Sequence, residues 1–354
     1  MDRGCKSDLS NLWLDMVIVV DTSSDMSDDN MKSVKESIID IFCCNTRIGT
    51  NYDDPRSTRI GIVTYNWNAS VLADLDKFNS SSSLSDTFET LRSSDSEESY
   101  LSLGLIKAAE VLAAGRSNGY RSNYPQLIMV YTADYLKTDE CYEIAKGLQD
   151  KRITIAVVSM KSHSPGTLMS LTKLWPDMSY TYHSYISWIL PRGVLAKANC
   201  FCKTGPLDDR QHFSTGTCLD VSTDRKTWNA ASQTCKMKKA HLVRDRGALY
   251  RFQLEKRLKS TNASYGGYHI GLHRKSGTWV WEQPAGEETI EETYPNNDTN
   301  WNPGFPIEDG IHTAVTATYK PSDPNLLWEN VDPNVDERFY ICETITCDTD
   351  NYCP

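Results

Sequence analysis

The sequence predicts an α/β domain with a doubly wound, mostly parallel sheet, followed by an α+β domain that carries disulfides. Two observations lead to this prediction. The first half alternates between continuous apolar runs, typical of strands buried on both faces, and segments whose apolar residues have helical spacing. From about residue 200 onward, long apolar runs disappear and tryptophan, glycine, proline and asparagine become frequent.

The elements of the first domain follow from these patterns. The predicted strands are "DMVIVVD", "RIGIVTYN", "SVLADL", "QLIMVYTAD" and "ITIAVVSM". The predicted helices are "MSDDNMKSVKESIIDIF", "YLSLGLIKAAEVLAAG" and "CYEIAKGLQDK". Because ligands on parallel sheets bind beyond the carboxyl ends of the strands, "VVDTSSD" is placed where a site is expected.

The second domain opens with two predicted helices, "KTWNAASQTCKMKK" and "GALYRFQLEKRLKS", followed by short strands and a long irregular loop. We expect the organisation to be an N-terminal tail (1–12), an α/β domain (13–190), a linker (191–202), an α+β domain (203–345) and a C-terminal tail (346–354).

Composition excludes several classes of function. The 354 residues carry a net charge of -10, which argues against a nucleic-acid partner because phosphate backbones need a positive surface. No apolar run is long enough for a membrane span. The sequence contains no nucleophile elbow, no zinc-protease motif and no phosphate-binding glycine loop, so we expect no enzyme.

Cysteines and glycosylation sequons predict a secreted protein. There are eleven cysteines, and Asn-x-Ser/Thr sequons occur at Asn68, Asn79, Asn262 and Asn297. The first residues are polar, so we expect that a secretion signal has been removed.

The first domain resembles a von Willebrand factor A-type domain through "DMVIVVDTSSD", "TRIGIVTYN", "SYLSLGLIKAAEVL" and "LIMVYTADYL", which occur in that order. The resemblance implies a metal-ion-dependent adhesion site. There, an Asp-x-Ser-x-Ser loop, a threonine and an aspartate from two further loops surround a hard cation. Asp21 and Ser23 match the loop, and Asp25 stands at its second serine position.

The remaining two positions of that site are altered. The threonine position falls at Leu101 and the aspartate position at Ala133, with Asp134 one residue later. We therefore expect a degenerate metal site. The alternative, which we favour, is that the loop's aspartate and serine cap the following helix by accepting its free amide hydrogens.

The second domain resembles a C-type lectin-like domain through "TWNAASQTC", "HIGLHRKSGTWVWEQP", "LLWEN" and "RFYICE". The resemblance implies a disulfide between Cys235 and Cys342, and a second one between Cys218 and either Cys202 or Cys200. Cys5 and one of Cys200 or Cys202 are expected to clasp the first domain, and Cys347 and Cys353 to close a tail loop. No partner is predicted for Cys43, Cys44 or Cys141, and the odd number leaves one cysteine free or intermolecular.

Sugar-binding members of this family hold Ca²⁺ with an "EPN" or "QPD" triplet and a "WND" triplet. This chain has Phe305-Pro306-Ile307 at the first position and Trp328-Glu329-Asn330 at the second. We expect the usual calcium-dependent sugar site to be lost, because phenylalanine and isoleucine supply no oxygen. The predicted ligand-binding loop comprises Trp301, Phe305, Ile307, Glu308, Asp309, Glu329 and Asn330. Its apolar residues are either exposed anchors for a protein partner or packed under the loop.

The order of the two domains resembles secreted nematode C-type lectin family proteins. This resemblance implies a non-enzymatic recognition or adhesion protein that binds an extracellular protein or a cell surface. The first alternative is a carbohydrate-binding lectin that recognises microbial glycans in innate defence, and the second is a matrix protein held by its odd cysteine. No cofactor is firmly predicted, and weak Ca²⁺ or Mg²⁺ binding is left open.

Overall fold

The computed structural model describes residues 4–42, 46–50, 54–117, 119–133, 140–160, 181–183, 189–203, 216–247, 250–251, 254, 267–284, 286–292, 300–320 and 323–354. The chain forms two compact units. The first consists of Met1–Lys203, Leu207–Gly216 and Cys347–Pro354, and the second of Thr204–Pro206 and Thr217–Thr346.

The first unit is an open α/β sheet. Its strands are β1 (Asp15–Asp21), β2 (Arg59–Tyr65), β3 (Ala69–Ala73), β4 (Gln126–Thr132), β5 (Ile153–Ser159) and β6 (Thr181–His183). Its helices are α1 (Asp28–Phe42), α2 (Ser81–Glu89), α3 (Leu101–Ala114), α4 (Cys141–Asp150) and α5 (Ile189–Ala198). The strand order is β3-β2-β1-β4-β5-β6, and only the edge strand β3 is antiparallel to its neighbour.

The sheet of the first unit has a core on each face, as a doubly wound fold requires. All seven residues of β1 are buried, and its side chains point alternately into the two cores. Helix α1 covers one face with a stripe of buried apolar residues at helical spacing, and α3 and α4 cover the other. Strand β1 is therefore fixed from both sides, and so is the position of the aspartate that ends it.

A buried charge cluster holds the amino end of β1. Asp15 is fully buried and accepts hydrogen bonds from Arg59 Nε at 3.0 Å and Nη2 at 2.9 Å, and from Arg121 Nε at 2.8 Å. Arg116 lies 3.5 Å away. The two nearer guanidinium groups are themselves buried, and Arg59 also pairs with Asp76, so carboxylates offset part of the positive charge of the cluster.

The last residues of the chain pack on the first unit. Trp13 donates from its indole nitrogen to the Asp348 carbonyl at 2.8 Å, and its ring contacts those of Tyr124, Phe201 and Tyr352. Disulfides join Cys5 to Cys200 and Cys347 to Cys353. Residues 347–354, expected from sequence to be a tail, thus take part in the core of this unit.

In the second unit, helix α6 spans Trp228–Met237. Its strands are β7 (Thr217–Val221), β8 (His241–Leu242), β9 (Tyr268–Lys275), β10 (Thr278–Trp281), β11 (Ile290–Glu291), β12 (Ala314–Lys320), β13 (Asp323–Val331) and β14 (Phe339–Ile345). Five of them lie in the order β11-β10-β9-β12-β13, and β14 pairs with β7, β8 and β9. Cys235 on α6 and Cys342 on β14 form a disulfide with Cα atoms 5.3 Å apart.

Several residues singled out by the sequence lie outside the described residues. They are Cys43, Cys44, Asp134, Asn262, Asn297 and most of the helix predicted over "GALYRFQLEKRLKS". Cys202 and Cys218 are each disulfide-bonded, and Cys141 is fully buried. No described helix has the length and apolar character that crossing a membrane requires.

Candidate functional site

The candidate site of the first unit lies at the carboxyl end of β1, where parallel sheets place their ligands. Asp21 ends this strand and is fully buried. Its Oδ1 accepts the backbone amide of Ser23 at 2.9 Å, and its Oδ2 accepts the hydroxyls of Ser99 at 3.1 Å and Thr132 at 3.2 Å. Three separate segments therefore converge on one carboxylate.

The electrostatics of this carboxylate favour a cation. Burial raises the pKa of Asp21, and the hydrogen bonds from Ser23, Ser99 and Thr132 lower it only in part. The Oγ of Ser23 is also buried and lies beside this carboxylate. A buried carboxylate surrounded by the hydroxyls of Ser23, Ser99 and Thr132 matches the oxygen ligands that a hard cation prefers.

The structure corrects the expected ligand positions. Leu101, placed at the threonine position from sequence, is the buried first residue of α3 and points into the core. Ser99, two residues earlier, supplies the hydroxyl instead. Ala133 is buried, and Thr132 before it contacts the carboxylate. Hydroxyls of Ser99 and Thr132 therefore contact Asp21, although neither residue stands at an expected ligand position.

The structure also corrects the favoured capping role for Asp21 and Ser23. Helix α1 begins at Asp28, and Ser27 accepts the Asn30 amide at 3.2 Å, as an N-cap residue does. Asp21 instead accepts the amide of Ser23, two residues on in the loop. Asp25, the third predicted ligand, is exposed.

The candidate site of the second unit is the loop before β12 together with β13. Asn330 is 2% exposed, and all its amide atoms are used within the protein. Its Oδ1 accepts the Ile307 amide at 2.8 Å, and its Nδ2 donates to the carbonyls of Ile307 at 2.9 Å and His312 at 2.7 Å. This side chain therefore fastens the loop to the sheet.

The acidic residues of this loop have internal partners too. Glu329 accepts hydrogen bonds from Asn302 Nδ2 at 2.5 Å and Thr318 Oγ1 at 3.2 Å. Glu308 forms an ion pair with Arg274. Asn302, Thr318 and Arg274 thus satisfy or neutralise the carboxylate oxygens that a calcium ion would otherwise use.

Asp309 belongs to a local turn. It accepts the backbone amides of His312 at 3.0 Å and Ile311 at 2.9 Å, and its Oδ2 lies 2.6 Å from His312 Nδ1. These contacts lower the pKa of Asp309 to about 2, and the hydrogen bond from the His312 amide has the largest effect. The carboxylate is therefore ionised, and it is committed to the turn.

The loop does not fit a calcium ion. Phe305 and Ile307 offer no side-chain oxygen, and each carboxylate or amide nearby already has a partner within the protein. The described residues contain no group of three or more histidine, cysteine or acidic side chains arranged to hold a metal. Sequence reasoning found the altered triplets but missed Arg274 and Thr318, which lie on neighbouring strands.

The apolar residues of the loop divide into two groups. Trp301 is half-buried and packs against Trp279 and Trp328, with ring centroids 5.0 and 5.7 Å away, so it follows the packing alternative. Phe305 is half-buried as well. Ile307 and Ile311 remain exposed, at 40% and 58%. Ile307 and Ile311 are therefore exposed on a loop that the buried side-chain amide of Asn330 holds in place.

Comparison with known families agrees with both halves of the fold. The model of the von Willebrand factor type A domain matches residues 15–185, and that of the Lectin C-type domain matches residues 224–344. Both resemblances drawn from the sequence, and their order, are thereby confirmed.

Similar proteins include one curated relative and two solved structures. C-type lectin domain-containing protein 160 of Caenorhabditis elegans is 24% identical over 384 residues, which cover 99% of this chain and 56% of that protein. The chain thus spans little more than half the length of this relative. Among solved structures, mussel byssus proximal thread matrix protein 1 with a zinc-occupied MIDAS motif is 16% identical (TM-score 0.44; 55% of this chain, 48% of that one). The carbohydrate-recognition domain of the mouse scavenger receptor C-type lectin is 19% identical (TM-score 0.29; 37% and 90%).

Proposed function

Since the chain carries a von Willebrand factor type A domain followed by a C-type lectin domain, we propose that it is a secreted recognition or adhesion protein whose lectin loop binds without calcium. The observation that carries this proposal is the internal pairing of the loop's oxygens. Asn330 is saturated by backbone groups, and Glu308 is paired with Arg274. A site whose ligands are already satisfied gains little from a cation.

The exposed surface of the loop favours a protein or cell-surface ligand. Ile307 and Ile311 present apolar side chains, and the Arg274–Glu308 pair stands beside them. Apolar anchors with charged residues around them are the usual arrangement of a protein interface. Both domain families are typically recognition domains, and we propose no catalytic role.

The first domain would add a second, cation-dependent contact. Asp21, Ser23, Ser99 and Thr132 would hold a hard cation, which supplies an open coordination position for an acidic group of the partner. Without the ion, the same residues keep three segments of the first domain together around the buried carboxylate.

A secreted location is supported by the disulfides. Disulfides join Cys5 to Cys200, Cys235 to Cys342 and Cys347 to Cys353, and Cys202 and Cys218 are disulfide-bonded as well. Such bonds form and persist in oxidising compartments.

One observation favours the alternative of a carbohydrate ligand. Trp279 and Trp301 form a half-exposed aromatic pair, and the amide of Asn302 and carboxylate of Glu329 follow directly beside it. Aromatic faces next to hydrogen-bonding groups suit a sugar ring. This route also needs no calcium.

Binding of the full secreted chain to a glycan array and to whole cells, each with and without EDTA, tests the proposal. We expect cell binding that survives EDTA at least in part and that the Ile307→Ser, Ile311→Ser double variant abolishes. Val335→Ser is the matched control, because Val335 is 70% exposed in the same domain but outside the loop. Cell binding that the double variant leaves intact would contradict the proposed surface, and glycan binding lost with Trp279→Ala would favour the alternative.

A further inference from the structure

The hairpin between β2 and β3 carries a sequon at a rigid, exposed turn. Asn66 donates its backbone amide to the Asn68 carbonyl at 2.8 Å, and its side-chain oxygen accepts the Asn68 amide at 3.1 Å. Asn66 also accepts the Tyr100 amide at 2.9 Å, which fastens the turn to the start of α3. The turn is therefore held in place from within the domain.

The side chain of Asn68 is oriented for modification. Its Oδ1 accepts the Ala69 amide at 2.8 Å, while its Nδ2 makes no hydrogen bond to a described residue. Both Asn68 and the sequon hydroxyl residue Ser70 are exposed. The nitrogen that would carry a sugar thus faces solvent, and the oxygen is fixed.

An exposed apolar surface adjoins this asparagine. Trp67, the residue before it, is 61% exposed at the tip of the hairpin. Val71 and Leu72 on β3 are each 42% exposed, and Leu103 and Ile106 on the neighbouring helix α3 are 36% and 41% exposed. Strand β3 is also the edge of the sheet, where exposed apolar residues invite self-association unless they are covered.

We propose that Asn68 carries an N-linked glycan whose first sugars lie on Trp67 and cover this apolar edge. The CH groups on one face of a pyranose pack well on an indole ring, and a covalent link keeps the sugar beside it. The second described sequon lacks this feature, because Phe78, the residue before Asn79, is only 3% exposed.

The modification is a glycosyl transfer from a lipid-diphosphate oligosaccharide donor. A bond forms between Nδ2 of Asn68 and C1 of the sugar while the bond between C1 and the diphosphate oxygen breaks. Nδ2 loses one proton to a base of the transferring enzyme, and the lipid diphosphate leaves. The inference rests on the proposed secreted location, but not on the ligand of the lectin loop.

The test uses the full chain secreted from eukaryotic cells. Mass spectrometry of the peptide that contains Asn68 should show a glycan that peptide N-glycosidase removes. Ser70→Ala, which deletes the sequon, should lower the melting temperature of the first domain by about 2–4 °C and promote aggregation. In a Trp67→Ala background, the same change should have no further effect.

Two controls distinguish loss of the glycan from a direct effect of the Ser70 substitution. Ser70→Thr keeps the sequon and should behave as wild type, and enzymatic deglycosylation of the wild type should reproduce the Ser70→Ala melt. An unmodified Asn68 in the secreted chain overturns this inference alone, while a chain that eukaryotic cells fail to secrete overturns the proposed location with it. An equal Ser70→Ala loss with and without Trp67 overturns the sugar–indole contact.

Discussion

Ser99 donates its hydroxyl hydrogen to Oδ2 of Asp21 at 3.1 Å, across 78 residues of sequence. Both residues are buried, and Thr132 contacts the same carboxylate oxygen. A serine just before α3 therefore supplies the hydroxyl that the sequence pattern placed two residues later. The oxygens of this site therefore differ from those that the family motif predicts. Within the described part of the domain, the buried carboxylate of Asp21 has no countercharge.

Removing the charge of Asp21 should raise the stability of the cation-free protein and abolish cation binding at this site. Burial raises the pKa of Asp21 above its unfolded value of about 3.8, so its contribution to stability falls as pH rises through the folded pKa. At neutral pH, Asp21→Asn should therefore raise the melting temperature of the cation-free protein, because the hydroxyls of Ser99 and Thr132 can rotate to accept from the new amide.

The same variant should lose stabilisation by Mg²⁺. At 100 times the Kd, a cation adds about 2.7 kcal/mol to the wild type, which thermal melts with Mg²⁺ and with EDTA detect. Asp25→Asn is the matched control, because Asp25 is exposed. An Mg²⁺ shift that survives Asp21→Asn would show that the ion binds elsewhere.

The loop of the lectin domain should depend on Asn330. Asn330→Ala leaves one amide and two carbonyls of the loop without their buried partner, so we expect a loss of about 2–4 kcal/mol in the free energy of unfolding. Chemical denaturation of the full chain measures it. Asn334→Ala, at an exposed position of the same domain, should cost less than about 1 kcal/mol, and equal losses would refute the fastening role.

The charge cluster at the amino end of β1 leads to another prediction. Asp15→Asn leaves two buried guanidinium groups without their carboxylate and should destabilise the first domain by about 3–5 kcal/mol. Asp76→Asn removes another partner of Arg59 that is 72% exposed, and should have a small effect. Urea denaturation of both variants checks the difference, and similar losses would contradict the role of burial.

Acid should weaken the lectin domain through His269. This side chain is fully buried, its Nε2 lies 3.0 Å from the Lys226 carbonyl, and burial lowers its pKa to about 4. The folded form binds a proton less readily than the unfolded chain, whose pKa is about 6.5. Stability from this residue is therefore complete above pH 6.5 and falls between pH 6.5 and 4, by about 3 kcal/mol at most.

His269→Gln should flatten that dependence. Glutamine can donate to the same carbonyl but does not titrate. The free energy of unfolding, measured between pH 7 and 4, should change less for the variant than for the wild type. Parallel pH profiles would contradict the assignment.

Local sequence patterns were sufficient for the fold. Continuous apolar runs such as "DMVIVVD" became strands buried on both faces, and the two resemblances gave the order of the domains. They did not identify the hydroxyl of Ser99, because a partner 78 residues away depends on how three segments meet at the edge of the sheet. The position of a residue in the motif therefore did not predict which hydroxyl contacts Asp21.

The same limit applies to the lectin loop. Loss of the calcium triplets was visible at Phe305 and Ile307, since neither residue has a side-chain oxygen. The ion pair between Glu308 and Arg274 was not visible in the sequence, because it joins the loop to a strand more than 30 residues earlier. Likewise, the exposure of Trp301 depended on its packing against Trp279 and Trp328, which no local pattern specifies.

The absence of a calcium site in the lectin loop is tested most directly by titrating calcium into the full chain that carries Asp21→Asn. Calorimetry and thermal melting are the two readouts. The substitution silences the first domain, so any remaining calcium effect comes from elsewhere. We predict no saturable heat and no shift in the melting temperature of the lectin domain up to millimolar Ca²⁺. Saturable binding that Glu329→Gln abolishes would contradict it and would restore a calcium site to the loop.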